Sequence, residues 1–182
     1  FSIGSKPIYW YALIILSGFL LGLFFVYKTC EKRGVKKDNV WDIALFGLIF
    51  GIIGARIYYV LFALDEFDSI ADMFKVWNGG LAIYGGIIGA IISTVIYCKV
   101  KKLNIAKVFD VCAPGLFIGQ AIGRFGNFVN VEVYGGETNS LFGMSINGAT
   151  PVHPLFLYES IWNVIGLVIL LLIRDKKKND GQ

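Results

Sequence analysis

The chain has 182 residues, 56% of them hydrophobic and 16% charged, against about 25% charged in an ordinary soluble domain. That balance excludes a disordered, fibrous or disulfide-stapled small domain and points to a polytopic helical membrane protein. The net charge of +4 comes from basic residues in short connections without the interleaved aromatics of a base-stacking surface, so no nucleic acid is expected as a partner.

Pro7 to Tyr27 is a run of 21 residues without Asp, Glu, Lys or Arg, and about 20 apolar residues at 1.5 Å each cross the hydrocarbon core. The run outlasts the apolar region of a signal peptide, and no A-x-A site follows it. Ile43 to Leu64, interrupted by Arg56, is the second predicted span, and Val76 to Cys98, with 23 charge-free residues, is the third. Ile105 to Ile122, which contains Lys107 and Asp110, and Phe156 to Ile173, which contains Glu159, complete five. The expected fold is therefore an all-α polytopic membrane protein, one membrane domain over residues 1–182 with five transmembrane helices. Glycines recur at i, i+4 in Gly18/Gly22, Gly47/Gly51, Gly85/Gly89 and Gly115/Gly119/Gly123, and such stripes read as packing seams that let membrane helices approach closely.

Basic residues orient the bundle. Lys28 to Asn39 carries five, Lys99 to Lys107 four and the tail Arg174 to Lys178 four, while Asp65 to Trp77 has only Lys75 and Arg124 to Pro154 only Arg124. The positive-inside rule then puts the N-terminus outside, and the basic loops and tail in the cytoplasm. The three cysteines have no metal-ligand spacing, His153 is the one histidine, and no Walker loop, G-x-S-x-G elbow or D-x-x-D pair occurs. No metal or cofactor is expected.

The connection from 124 to 154 is long for this protein, and loops of that length are usually functional or disordered. Its apolar content, the run Val131 to Tyr134, the Gly135-Gly136 pair and Leu141 to Ile146 predict a small extracellular cap of short strands and turns. Its opening, Gly123-Arg124-Phe125-Gly126-Asn127-Phe128-Val129-Asn130-Val131-Glu132, places a guanidinium, amides and a carboxylate at the membrane boundary. A guanidinium fork suits a phospholipid phosphate; equally, Arg124 is placed to snorkel as an ordinary boundary residue. Ionisable groups within spans are functional candidates by default. Arg56 and Glu159 are candidates on that ground, and a structural ion pair between them is the competing reading. His153 opens the fifth span where Glu159 could orient it, or serves only as a cap. Tyr84 sits near the outer end of the third span, where tyrosines usually belong to the aromatic belt.

G-R-F-G-N-F-V-N-V-E-V-Y-G-G-E-T (Gly123 to Thr138) resembles the signature of the bacterial prolipoprotein diacylglyceryl transferases. The likeness extends to G-G-L-A-I-Y-G-G (Gly79 to Gly86), G-A-R-I-Y-Y-V-L-F (Gly54 to Phe62), H-P-L-F-L-Y-E (His153 to Glu159) and W-Y-A (Trp10 to Ala12), in family order along the chain. It implies an enzyme of the bacterial cytoplasmic membrane that moves the diacylglyceryl group of phosphatidylglycerol onto the lipobox cysteine of a prolipoprotein signal peptide. A thioether forms and glycerol phosphate leaves. Its implied partners are phosphatidylglycerol, the prolipoprotein and the surrounding membrane lipids. The resemblance makes Arg124 the phosphate ligand and adds Asn127, Asn130, Glu132, Gly135 and Tyr11, with Arg56 and Glu159 nearby.

Two departures from the family pattern stand out. Some members carry a histidine, discussed as the base, where this chain has Tyr84, and a phenol with an ordinary pKa of about 10 is a poor base at neutral pH. That leaves Tyr84 as a hydrogen-bond donor and His153 or Glu132 as alternative bases. The family also continues through two further spans, the last with another functional arginine. The chain, starting at Phe1 without Met and stopping at Gln182, is thus expected to be a fragment with little or no activity of its own. A lipid or small-solute transporter lined by Arg56, Asp110 and Glu159, and an inactive phosphatidylglycerol-binding scaffold, are the competing functions.

Overall fold

The computed structural model describes residues 2–3, 6–7, 9–176 and 179–181; Phe1, Gln182 and the tail lysines Lys177 and Lys178 lie outside these. Among the described residues are two short antiparallel strands, β1 (Ser2–Ile3) and β2 (Lys6–Pro7), and five helices. These are α1 (Trp10–Thr29), α2 (Lys37–Phe62), α3 (Ile83–Val100), α4 (Ile105–Val129) and α5 (Leu155–Ile173). All five are long and apolar enough to cross a membrane, as expected. Much of their apolar surface is exposed, with Leu20 and Leu21 of α1 51% and 52% accessible, which fits lipid rather than water as the solvent.

Three boundaries differ from those expected. The third helix begins at Ile83 instead of Val76, because Gly79 and Gly80 both take positive φ, +89° and +73°, and break the helix before it starts; Val76–Asn78 makes a 3-10 turn. The second begins at Lys37, taking in polar residues that lie beyond its apolar run, with Asp38 in the first turn where a negative charge favours the helix dipole. The fourth runs seven residues past Ile122 to Val129, so Arg124 and Asn127 stand on a helix and not in the connection. At its start the Asn104 side chain accepts the Lys107 N–H at 3.2 Å, a local cap.

The chain divides into two compact units, Phe1–Thr29 with Phe109–Gln182, and Cys30–Val108. In the first, α1 and α4 run antiparallel with glycines facing: a Cβ on Gly18 would stand 3.0 Å from the Gly119 carbonyl oxygen, and one on Gly22 would overlap the Gly115 carbonyl. Hairpin partners α4 and α5 are locked where the buried Ser160 hydroxyl donates to the Ala121 carbonyl at 2.9 Å. In the second unit, α2 and α3 also pack antiparallel, with Gly54 against Gly85 and Gly89 against the Phe50 carbonyl. Gly47, expected on this seam, has nothing within 4 Å of its Cβ position; Gly54, three residues on from Gly51, carries the contact instead.

Between α4 and α5 the backbone makes turns with two isolated bridges, Glu137 with Val152 and Met144 with Val152. The strand expected over Val131 to Tyr134 is absent because Val131 and Val133 both adopt φ +55°, which breaks the extended path.

Candidate functional site

The antiparallel α1–α4 and α4–α5 pairings bring the end of α4 beside the starts of α1 and α5. Tyr11, in the first turns of α1, lies on the glycine face of α4: a Cβ on Gly126 would be 2.9 Å from its ring. One turn from Asn127, Arg124 gives Nη2 to the Glu159 carboxylate at 2.6 Å, with both side chains partly exposed at 38% and 40%. Glu159 is thus taken by Arg124. Arg56, weighed from the sequence as its partner, instead spends its donors on main-chain oxygens within its own unit.

After α4 the chain folds back on itself. The Asn127 amide donates to Glu132 Oε1 at 2.9 Å, while the Glu132 N–H donates to the Asn127 carbonyl at 3.0 Å. Glu132 is therefore held twice by one residue, between Val131 and Val133 in the left-handed region that β-branched residues rarely enter. Such outliers persist where surrounding contacts over-determine them, and they cluster at functional sites. Asn130 is exposed, and its N–H closes the helix on the Gly126 carbonyl.

Gly135 reaches His153 through the main chain: its N–H donates to the His153 carbonyl at 2.9 Å, and the His153 N–H returns a bond to Gly136 at 3.0 Å. A Cβ on Gly135 would lie 2.8 Å from the His153 Cβ, so the close approach requires glycine. His153 Nδ1 lies 3.1 Å from the Tyr158 hydroxyl. Tyr158, and not Glu159, orients the imidazole. Arg124, Asn127, Glu132, Gly135, His153, Glu159 and Tyr11 thus all belong to the first unit. The Arg124–Glu159 pair and the His153–Tyr158 contact are its additions to the sequence reading; the hairpin register of α4 and α5 is the signal for the first, and the i, i+5 spacing at the start of α5 the signal for the second.

Arg56 and Tyr84 lie in the second unit. Arg56 is 7% exposed and gives Nε to the Met73 carbonyl at 2.8 Å, Nη2 to Asp72 at 2.8 Å, and Nη1 to Gly79 and Gly80 at 2.6 and 2.9 Å. Phe67 adds a ring 5.0 Å from the guanidinium. Here Arg56 binds the connection between α2 and α3 to itself. Nearby, Lys75 contacts Asp72 at 2.6 Å, and that hydrogen bond, with the Ser69 hydroxyl, holds the Asp72 carboxyl below its ordinary range. Tyr84 is 67% exposed in the first turn of α3, 6.3 Å from the Tyr58 ring. Among the described residues no group of three or more His, Cys, Asp or Glu side chains is arranged to hold a metal ion.

A family model described as prolipoprotein diacylglyceryl transferase matches residues 1–182. The chain is 45% identical over 183 residues to phosphatidylglycerol–prolipoprotein diacylglyceryl transferase 1 of Clostridium perfringens, covering 95% of this chain and 70% of that protein. It is 41% identical over 193 residues to the like-named protein of Listeria innocua, covering 99% and 69%. For that of Staphylococcus aureus strain Newman the identity is 42% over 191 residues, covering 98% and 68%. With that match running through the helix that bears Arg124 and the turn that holds Glu132, the chain belongs to the prolipoprotein diacylglyceryl transferase family.

Proposed function

We infer that this protein transfers the diacylglyceryl group of phosphatidylglycerol to the cysteine thiol of a prolipoprotein, the first step of lipoprotein maturation. The observation that carries the reading is Arg124, a partly exposed guanidinium near the end of α4 that gives Nη2 to Glu159. Its remaining donors suit a phosphate, which a fork binds through parallel charge-assisted hydrogen bonds. In the reaction the cysteine sulfur attacks the glyceryl carbon that bears the phosphate. The C–S bond forms, the C–O bond breaks, and glycerol phosphate departs with the bonding pair. Arg124 stabilises the charge on that leaving group. The thiol proton passes to a base, and His153, oriented by Tyr158, is the group of the residue type that most often performs this transfer. Asn127 and Glu132, hydrogen-bonded to each other, lie within nine residues of the arginine, with Asn130 on the exposed turn. Gly135 holds His153 in place, and Tyr11 walls the glycine face of α4. The lipobox cysteine and the signal peptide that carries it are the second substrate.

The basic connections and the tail face the cytoplasm, and the N-terminus and the segment 130–154, a small cap, face outward, by the positive-inside rule. The membrane is the bacterial cytoplasmic membrane. The test reconstitutes the gene product carrying this chain in phosphatidylglycerol vesicles with a lipobox peptide, and follows thioether formation by mass. Arg124→Ala is expected to lower kcat/KM by about 10²–10³-fold, the scale of removing one charge-stabilising donor. No product from the unaltered protein, or undiminished product from the variant, overturns the reading. Phosphatidylglycerol binding without product would replace it with the scaffold.

A further inference from the structure

The second unit holds a groove lined by none of the residues assigned above to the transfer reaction. It lies between α2 and α3, with a volume of about 770 Å³, in the range of about 300–1,000 Å³ usual for ligand sites. Gly85, Gly89 and Ser93 line it along α3, and Phe46, Phe50 and Ile92 are among its larger lining residues. Along α2 it extends from Asp42 to Leu61, roughly 28 Å at 1.5 Å per residue. That length is close to the hydrocarbon thickness of a bilayer, about 30 Å.

The two ends differ chemically. At the Leu61 end the lining is Tyr58, Ile57 and Leu61. At the other end Tyr97, 8% exposed, donates its hydroxyl to Asp42 Oδ2 at 2.6 Å and lies 3.1 Å from Asn39 Oδ1. Lys101, which also lines the groove, sets its ammonium 5.8 Å from the centre of the Tyr97 ring. Because α2 and α3 are antiparallel, the start of one adjoins the end of the other, and Lys36, Lys37, Lys99 and Lys102 gather at this same end.

We propose that this groove binds an anionic phospholipid with a hydroxyl-bearing headgroup, its phosphate against Lys101 and one acyl chain laid along Ile96, Ile92, Phe50 and Phe46. A phosphate meets the ammonium, a headgroup hydroxyl meets the spare acceptor capacity of Asp42, and a chain needs no hydrogen-bond partner in the apolar run. The basic end decides between this occupant and an apolar signal-peptide helix, because the positively charged n-region of such a peptide would face like charge. The site is read by binding alone, so it stands or falls apart from the transfer reaction.

The test uses the gene product in vesicles that contain a phospholipid with a photoreactive group on its acyl chain, either phosphatidylglycerol or phosphatidylcholine, with labelled residues mapped by mass spectrometry. Label is expected at Phe46, Phe50, Ile92 and Ile96. It should be about fivefold stronger from the anionic lipid, the scale of one lysine near a charged headgroup. Lys101→Gln is expected to bring the two lipids level, and Ile92→Trp, which fills the groove, to lower both. The proposal is overturned by equal labelling from the two lipids, by Lys101→Gln without effect, by no label in the groove, or by a lipobox peptide displacing the lipid from it.

Discussion

A guanidinium carries five N–H donors, and the two arginines set in membrane-length helices of this protein use them in opposite ways. Arg124 gives Nη2 to a carboxylate and remains partly exposed. Arg56 is buried and meets four main-chain carbonyls. Both were equally visible in the sequence as charges inside apolar runs. What separates them is the partner, and partners depend on chain folding that residue spacing does not encode. A buried acceptor stripped of its donor costs about 1–3 kcal/mol, so Arg56→Met, which strips four, is expected to destabilise the protein by about 3 kcal/mol or more. Arg56→Lys, with a shorter reach and no fork, should fall between. Thermal unfolding in detergent, followed by tryptophan fluorescence, checks this, together with protease cutting between Leu64 and Leu81. An unshifted Tm for Arg56→Met would remove the arginine from the role of loop anchor and return it to the substrate.

At the scale of elements, the apolar runs announced all five helices, and the glycine spacing announced both glycine seams, with Gly47 alone of the paired glycines in its stripe left open. Where the reading slipped, backbone geometry was the cause. Charge counting cannot see that Gly79 and Gly80 take positive φ, so it started α3 too early. Nor does it see that Arg124 and Asn127 continue a helix whose far side is packed by Tyr11 and Phe156. The seam itself is testable. A side chain at Gly22 would run into the Gly115 carbonyl, a backbone atom that no rotamer change moves aside. Gly22→Leu is therefore expected to cost at least the roughly 1–3 kcal/mol of ordinary overpacking, against a fraction of that for Gly47→Leu, whose Cβ position is open. Comparing the two Tm values decides it. Equal shifts would mean that the α1–α4 contact does not depend on glycine.

For the whole molecule, membrane class and family were legible from composition and signature, whereas the pairing of the site residues was not. The Arg124–Glu159 contact joins positions 35 residues apart in the chain, and only the register of the α4–α5 hairpin makes them neighbours. Orientation is the property that the charge distribution addresses most directly. Single cysteines at Lys102 and Asn147, in a background with Cys30, Cys98 and Cys112 replaced by serine, are expected to react oppositely with an impermeant maleimide in intact cells. Asn147→Cys should label at once, and Lys102→Cys only after the membrane is opened. The reverse order would invert the topology argued here from lysine and arginine counts.

The turns after α4 are tied to near neighbours in space: Glu132 to Asn127, Gly135 and Gly136 to His153, and Thr138 to the Pro151 carbonyl at 2.8 Å. Met144 is clasped as well, exchanging main-chain hydrogen bonds with Val152 at 2.9 and 3.0 Å, so only the tip from Ser145 to Thr150 lies outside these ties. Lengthening a loop is cheap once its ends are fixed, about 0.6 kcal/mol for each doubling. The tip from Ser145 to Thr150 is accordingly where this protein can absorb insertions and deletions, an evolutionary slack that lets the outer surface be remodelled while the arginine and the histidine keep their places.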